Sequence, residues 1–237
     1  MIVLAFSELG KPHYGRLPYG RSARADRPCG PPGCGGFRFC PSVPGNHAGS
    51  LGLAGPTGSG PTVASEDTTA ALHGGPIIAA IKEAGIEYVL SVPDITTAAG
   101  LLKPIAEDNA LRLIRVSKED ECLGIAMGLA MCDKRALILV QHTGLLDSIN
   151  ALGGIAVEFK QPICFMVGLL EREVDRPPRQ SGRFRIRIVE PILDVMGIPH
   201  HLVDSDGDVG VIRPGIEAAY RDNWPVAFLI GRPPAAS

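Results

Sequence analysis

The sequence predicts an α/β fold: one doubly wound sheet of about six parallel strands with helices on both faces, preceded by a disordered Gly/Pro-rich tail. Three observations predict it. From about residue 70, short runs rich in Val, Ile and Leu alternate with helical patterns, the runs being "YVLSV", "LRLIRV", "RALILVQ", "PICFMVG", "HHLVD" and "PVAFLIG". Most of them are apolar throughout rather than at alternate positions, which suits strands buried on both faces of a parallel sheet. Before residue 70, in contrast, Gly, Pro, Ser and Arg dominate and no period of 2 or 3.6 is sustained.

Residues 1–69 therefore form a Gly/Pro/Arg-rich extension that cannot bury enough apolar area to offset the entropy of ordering it. Cys29, Cys34, Cys40 and His47 lie in it, but zinc sites favour tighter Cys-x-x-Cys pairs than this spacing offers. Residues 70–237 form the folded domain, with no internal repeat and no second domain after it.

The elements of that domain follow in order. Helix "GPIIAAIKEAG" leads to the first strand, and "TTAAGLLKPIAED" carries the chain to the second. The stretch "SKEDECLGIAMGLA" opens with charge and turns almost wholly apolar or small, so this helix is expected to be buried on nearly every side. Ser117 with Asp120 fits a capping pattern at its start. After the third strand comes "GLLDSINALGGIAVEF", and after the fourth the irregular "LLEREVDRPPRQSGRFR". Helices "IRIVEPILDVMG" and "VGVIRPGIEAAYRD" flank the fifth strand.

Composition narrows the function. The formal net charge is −2 and Lys and Arg are scattered, so there is no electrostatic footprint for nucleic acid. No apolar run approaches membrane-spanning length, "MIVLAF" lacks the parts of a secretory signal, and a cytoplasmic location is expected. Cys122, Cys132 and Cys164 fall in apolar runs and are expected to be reduced core residues. Neither G-x-G-x-x-G nor G-x-x-x-x-G-K-[ST] follows a strand, which disfavours a standard NAD-binding or P-loop protein.

In an open parallel sheet the chemistry belongs to the loops beyond the carboxyl ends of the strands. Here those are "PDITT", "SKEDE", "HTG" and the basic stretch after the fourth strand. Glu119 shares a helix face with Leu123, Ala126 and Ala130, so its stem points toward apolar packing, where a carboxylate needs a partner or a purpose. Asp94 suits either a helix N-cap or a site residue. His142 suits a proton shuttle or a structural role. The forks of Arg172, Arg176, Arg179, Arg183 and Arg185 suit sulfonate or phosphonate oxygens, although a solvated basic loop explains them as well.

These residues together carry a resemblance. "EDECLGIAMG" followed by "KRALILVQHTGLLDSINAL" resembles the pyrimidine-binding domain of thiamine diphosphate enzymes, and within it the sulfopyruvate and phosphonopyruvate decarboxylases. Glu119 stands nine residues ahead of Gly128, as the family's glutamate does, and Gln141, Thr143, Gly144, Leu145 and Asn150 match the pattern Q-N-S-G-L-G-N-x-x-N. His142 and Asp147 replace asparagines there. Val92, Pro93, Asp94, Lys103 and Pro104 match V-P-[CD]-S-x-x-K-P-L with residues inserted between.

The resemblance implies that Glu119 hydrogen-bonds the cofactor's aminopyrimidine and exchanges a proton with it, Glu121 being the alternative if the register slips by two. It further implies cofactor contacts from Pro93, Gln141, Thr143, Gly144 and Asn150, and catalytic parts for Asp94 and His142. The diphosphate and its Mg²⁺ would sit on a partner, because the family's Gly-Asp-Gly motif is lacking and "SDGDVG" reads as a turn. This chain would then be an alpha subunit that needs a beta subunit, within a homodimer or hetero-oligomer that decarboxylates a short 2-oxo acid. A related carboligase subunit, or a non-catalytic α/β binding module, is the alternative.

Overall fold

The computed structural model describes residues 71–236, so the tail, with its cysteines and His47, lies outside the described residues. Strands β1 (Tyr88–Ser91), β2 (Arg112–Arg115), β3 (Ala136–Gln141), β4 (Cys164–Gly168), β5 (His200–Val203) and β6 (Val226–Ile230) form one parallel sheet in the order β2-β1-β3-β4-β6-β5. The predicted sheet of six parallel strands is the one observed.

Alternation along the strands divides the interior into two layers. Leu137 and Leu139 of β3 face one core, together with α1 (Gly74–Glu83), α2 (Lys103–Glu107) and α8 (Ile212–Asp222). Ile138 and Val140 face the other, against α3 (Glu119–Ala130), α4 (His142–Asp147) and α7 (Val189–Val195). Side chains two apart on a strand point the same way, so a continuously apolar strand must be covered twice. Burying a side chain such as Phe165, 1% exposed, contributes about 2 to 3 kcal/mol.

Three local features depart from the expectations. The helix after β1 enters through a π-helical turn, Ala98–Leu102, and the one after β3 is broken into α4, α5 (Ile149–Ala151) and a π-helical run Leu152–Glu158. The loop after β4 is not wholly irregular, since it ends in α6 (Phe184–Arg187). Third, α3 buries Cys122, Leu123 and Ala126 but leaves Gly124 and Gly128 exposed, with nothing within 4 Å of where a Cβ would stand. A helix without side chains on one face cannot cover that face itself.

Free Cys122 and Cys164 are buried as expected, and burial pushes both thiols up to about 12. Cys132 is a correction: it follows the end of α3 and is exposed. Among the described residues, no helix is long and apolar enough to cross a membrane.

Candidate active site

The connection after β1 runs to the α2 face of the sheet and the connection after β3 to the α4 face, so a crevice opens between their carboxyl ends. Asp94 occupies the β1 side. Only 2% exposed, it accepts hydrogen bonds from the Thr96 N–H (3.1 Å), the Thr97 N–H (3.2 Å) and Thr97 Oγ1 (2.9 Å), which caps the turn leading toward α2. Gln141 Nε2 donates a fourth bond from the end of β3 (3.0 Å), and Thr143 Oγ1 donates to Gln141 Oε1 (2.7 Å). Asp94, Gln141 and Thr143 thus form one chain of hydrogen bonds across the crevice. Gly168, at the end of β4, closes against it, because a Cβ there would collide with the Asp94 carboxylate and stand 2.9 Å from Thr96 Cβ.

The charged start of α3 resolves into separate duties. Its N-cap is Lys118, in extended conformation, one residue later than the Ser117 cap the sequence suggested. Glu121, not Asp120, reaches back: its Oε2 accepts from the N–H groups of Ser117 (3.0 Å) and Lys118 (3.2 Å). Asp120 instead pairs with Lys118 Nζ at 2.9 Å. The physical reason is spacing, since only the third helical residue can reach the exposed N–H groups before the first turn.

Glu119 is left for something else. Half-buried, it rests on Gly144 in α4, so closely that a Cβ on Gly144 would come within 2.5 Å of Glu119 Oε1. Any side chain at position 144 would displace the carboxylate. The bare backbone there keeps its place, at the positive end of α3.

His142 is 5% exposed, with Nδ1 3.3 Å from the carbonyl oxygen of Gly168, so that nitrogen carries the proton. Burial holds its imidazole below the usual histidine range, and the positive charge of Arg185 adds to the effect against the pull of Asp94. A cavity of about 420 Å³ opens beside it, lined by Gln141, His142, Thr143, Arg183, Phe184 and Arg185 among others.

The five arginines separate on their partners. Arg172 is tied to Asp204 at 3.0 Å and Arg176 to Asp175 at 3.0 Å; Arg179 binds Glu190 and Asp194, and Arg183 binds Glu171 at 2.6 Å. Arg185 alone of the five has no ion-pair partner among the described residues, and it stands at the cavity. Nothing in the sequence distinguishes it from its neighbours.

The remaining sequence candidates are less engaged. Pro93 and Asn150 are both exposed, Asn150 on α5, and neither lines the cavity. "SDGDVG" forms a 3₁₀ turn, Asp206–Val211, in which Asp208 caps Ser205. Among the described residues, no group of three or more His, Cys, Asp or Glu side chains gathers as a metal site would.

Comparison with known proteins accords with this arrangement. Residues 74–175 match the family described as thiamine pyrophosphate enzyme, N-terminal TPP binding domain. The sulfopyruvate decarboxylase subunit alpha of Methanocaldococcus jannaschii is 30% identical over 153 residues, covering 63% of this chain and 88% of that one. That of Methanococcus maripaludis is 26% identical over 153 residues, 64% of this chain and 89% of its own. The Methanothermobacter thermautotrophicus subunit alpha is 33% identical over 91 residues, 38% and 54% of the two chains. With the parallel sheet, the crevice beyond β1 and β3 and these relatives in view, the chain belongs to the sulfopyruvate decarboxylase alpha-subunit family of thiamine pyrophosphate enzymes.

Proposed function

We propose that this chain is the alpha subunit of a thiamine diphosphate-dependent decarboxylase acting on a short 2-oxo acid with an anionic tail, of which sulfopyruvate is the model. The observation that carries the reading is the placement of Glu119 on Gly144 while Glu121 is spent on the helix cap. A carboxylate at a helix start, beside a position stripped of its side chain, fits a flat heterocycle whose ring nitrogen must exchange a proton.

Thiamine diphosphate, when bound, supplies the electron sink that lets carbon dioxide leave a 2-oxo acid. The chain's own part is positioning and proton handling. Glu119 holds a proton at the pyrimidine ring nitrogen. Gln141, fixed by Asp94 and Thr143, presents a rigid polar edge to the crevice, and His142, kept neutral by burial, can give or take a proton at the reacting carbon. Arg185 stands where a sulfonate tail would be met by a fork of N–H donors.

The relatives are named as alpha subunits, and this chain is read in the same way: a beta subunit carries the diphosphate and Mg²⁺, and the active site forms where the two meet. The open glycine face of α3 gives such a partner room for close approach. A cytoplasmic location suits this reading.

The test is a calorimetric titration of thiamine diphosphate and Mg²⁺ into the chain, alone and mixed with a beta subunit, followed by carbon dioxide release from sulfopyruvate. Binding and turnover in the mixture, both lost with Glu119→Gln, support the proposal. Full turnover by Glu119→Gln would end it.

A further inference from the structure

Glu171 and Arg183 form an ion pair at 2.6 Å, and both residues line the cavity that holds His142 and Arg185. Their side chains are 60% and 53% exposed, so water screens the pair and it contributes little to the stability of the fold. A pair of this kind is readily exchanged.

The backbone is fixed where the side chains are free. Glu171 adopts the left-handed conformation, with φ 61°. Asp133, Lys160 and Asn223 do so too, but each of these follows a helix, where a left-handed residue is an ordinary cap, whereas Glu171 follows strand β4. Backbone strain away from such caps gathers at ligand clamps and switch segments. On the other side of the pair, Glu173 accepts from Ser181 Oγ and from the Gly182 N–H (3.1 Å), Ser181 Oγ accepts from the Arg183 N–H (3.0 Å), and the Ser181 carbonyl accepts from Arg187 Nη1 (3.0 Å). The main chain at Arg183 is thus fastened while its guanidinium stays in water.

The number of forks and the number of oxygens select what exchanges. Arg183 and Arg185 are two residues apart, so their Cα atoms lie within about 7 Å of each other and both guanidinium groups can reach one small molecule. A planar carboxylate tail has two oxygens, which one bidentate fork satisfies. A sulfonate or phosphonate has three in a tetrahedral array, which leaves an oxygen for a second fork. The Glu171 carboxylate, seated on Arg183, shows that this fork accepts an oxyanion. The second fork suits the tail rather than the carboxylate that must leave as carbon dioxide, since gripping the latter would stabilise the ground state and slow the reaction.

We propose that Arg183 is a second specificity residue for the substrate's tail: a tetrahedral oxyanion, sulfonate or phosphonate, displaces the Glu171 carboxylate from Arg183 and is held between Arg183 and Arg185. Glu171 covers the fork until such a tail arrives. The choice of a 2-oxo acid as the molecule that bears the tail rests on the decarboxylase reading.

Calorimetric titration of the full-length chain with 3-sulfopropanoate and with succinate tests it, because the two differ only in having a tetrahedral or a planar tail. The expected result is one saturable site for 3-sulfopropanoate, with affinity lowered about tenfold in Arg183→Gln and in Arg185→Gln, each of which removes a charge-assisted donor. Glu171→Gln, which frees the fork, should raise that affinity about three- to fivefold, and the gain should vanish in the Glu171→Gln/Arg183→Gln double variant. A purely structural pair would give no such gain. Succinate should not respond to Arg183→Gln. Absence of saturable binding by 3-sulfopropanoate, indifference to Arg183→Gln, an equal loss for succinate, or a gain from Glu171→Gln that persists without Arg183 would each overturn the proposal. Binding of these inert anions needs neither cofactor nor beta subunit, so the two readings fail separately. Turnover of sulfopyruvate by the mixture, with 3-sulfopropanoate binding indifferent to Arg183→Gln, overturns the exchange alone; the expected binding pattern without turnover supports the exchange and ends the decarboxylase reading.

Discussion

The Glu119 carboxylate lies against the bare backbone of Gly144, two elements away in sequence, and the contact leaves no room for a methyl group. Gly144→Ala must therefore move either α4 or the carboxylate. We expect a stability loss of about 1 to 3 kcal/mol from overpacking and a fall in turnover of roughly a hundredfold from misplacement of a catalytic group. Urea unfolding and carbon dioxide release from the assembled enzyme measure the two. Undiminished turnover would show that the carboxylate does not need its present seat.

Glu121 is expected to behave in the opposite way. Its Oε2 satisfies two N–H groups at the start of α3, so Glu121→Ala should cost about 1 kcal/mol of stability while the assembled enzyme keeps turning over. A dead but well-folded Glu121→Ala would exchange the roles of the two glutamates.

His142 predicts a pH dependence of stability. Its folded-state affinity for protons lies below that of an unfolded histidine, because burial disfavours the charged ring. The unfolded chain thus takes up a proton, as pH falls below about 6.5, that the folded chain resists. The wild type should lose stability from about pH 7 downward, and His142→Asn should lose less over the same interval. His201, also lowered by burial and by His200, titrates in both proteins and cancels in the comparison. Parallel curves from denaturant unfolding at pH 7.5 and 5.5 would count against a buried neutral imidazole.

Arg185→Gln should raise KM for sulfopyruvate by roughly ten- to a hundredfold, the loss of a charge-assisted hydrogen bond, with kcat changed far less. Pyruvate, which lacks the anionic tail, should be processed equally by both proteins. An equal loss for the two substrates would move Arg185 from specificity to architecture.

The fold was legible because its signal is repetitive: β3, β4 and β6 are each apolar on both faces, and only a sheet covered twice accommodates that. The places of Asp94, Gln141 and Thr143 at or beyond the ends of strands and of Glu119 at a helix start were legible, whereas a part in cofactor chemistry was implied by resemblance alone. What stayed hidden depends on distance rather than spacing. Nothing in the sequence says that Arg183 is claimed by Glu171 while Arg185 is not, or that Lys118 rather than Ser117 begins the helix. Thr96 and Arg172 likewise look ordinary in sequence until the sheet brings them to the lining of one cavity.

The strand order has a kinetic consequence. No two neighbouring strands are joined by a hairpin, so every ladder closes a long loop before it gains a hydrogen bond. The β1–β2, β3–β4 and β5–β6 pairs need the shorter closures. β4 can meet β6 only after the chain has travelled out through α7, β5 and α8 and returned, so that the register Cys164 to Val226 spans the widest interval in the sheet. The joint between β4 and β6 thus carries the largest loop-closure entropy in the sheet. A chain leaving the ribosome carries β1, β2, β3 and β4, which can pair with one another, before β5 and β6 have emerged.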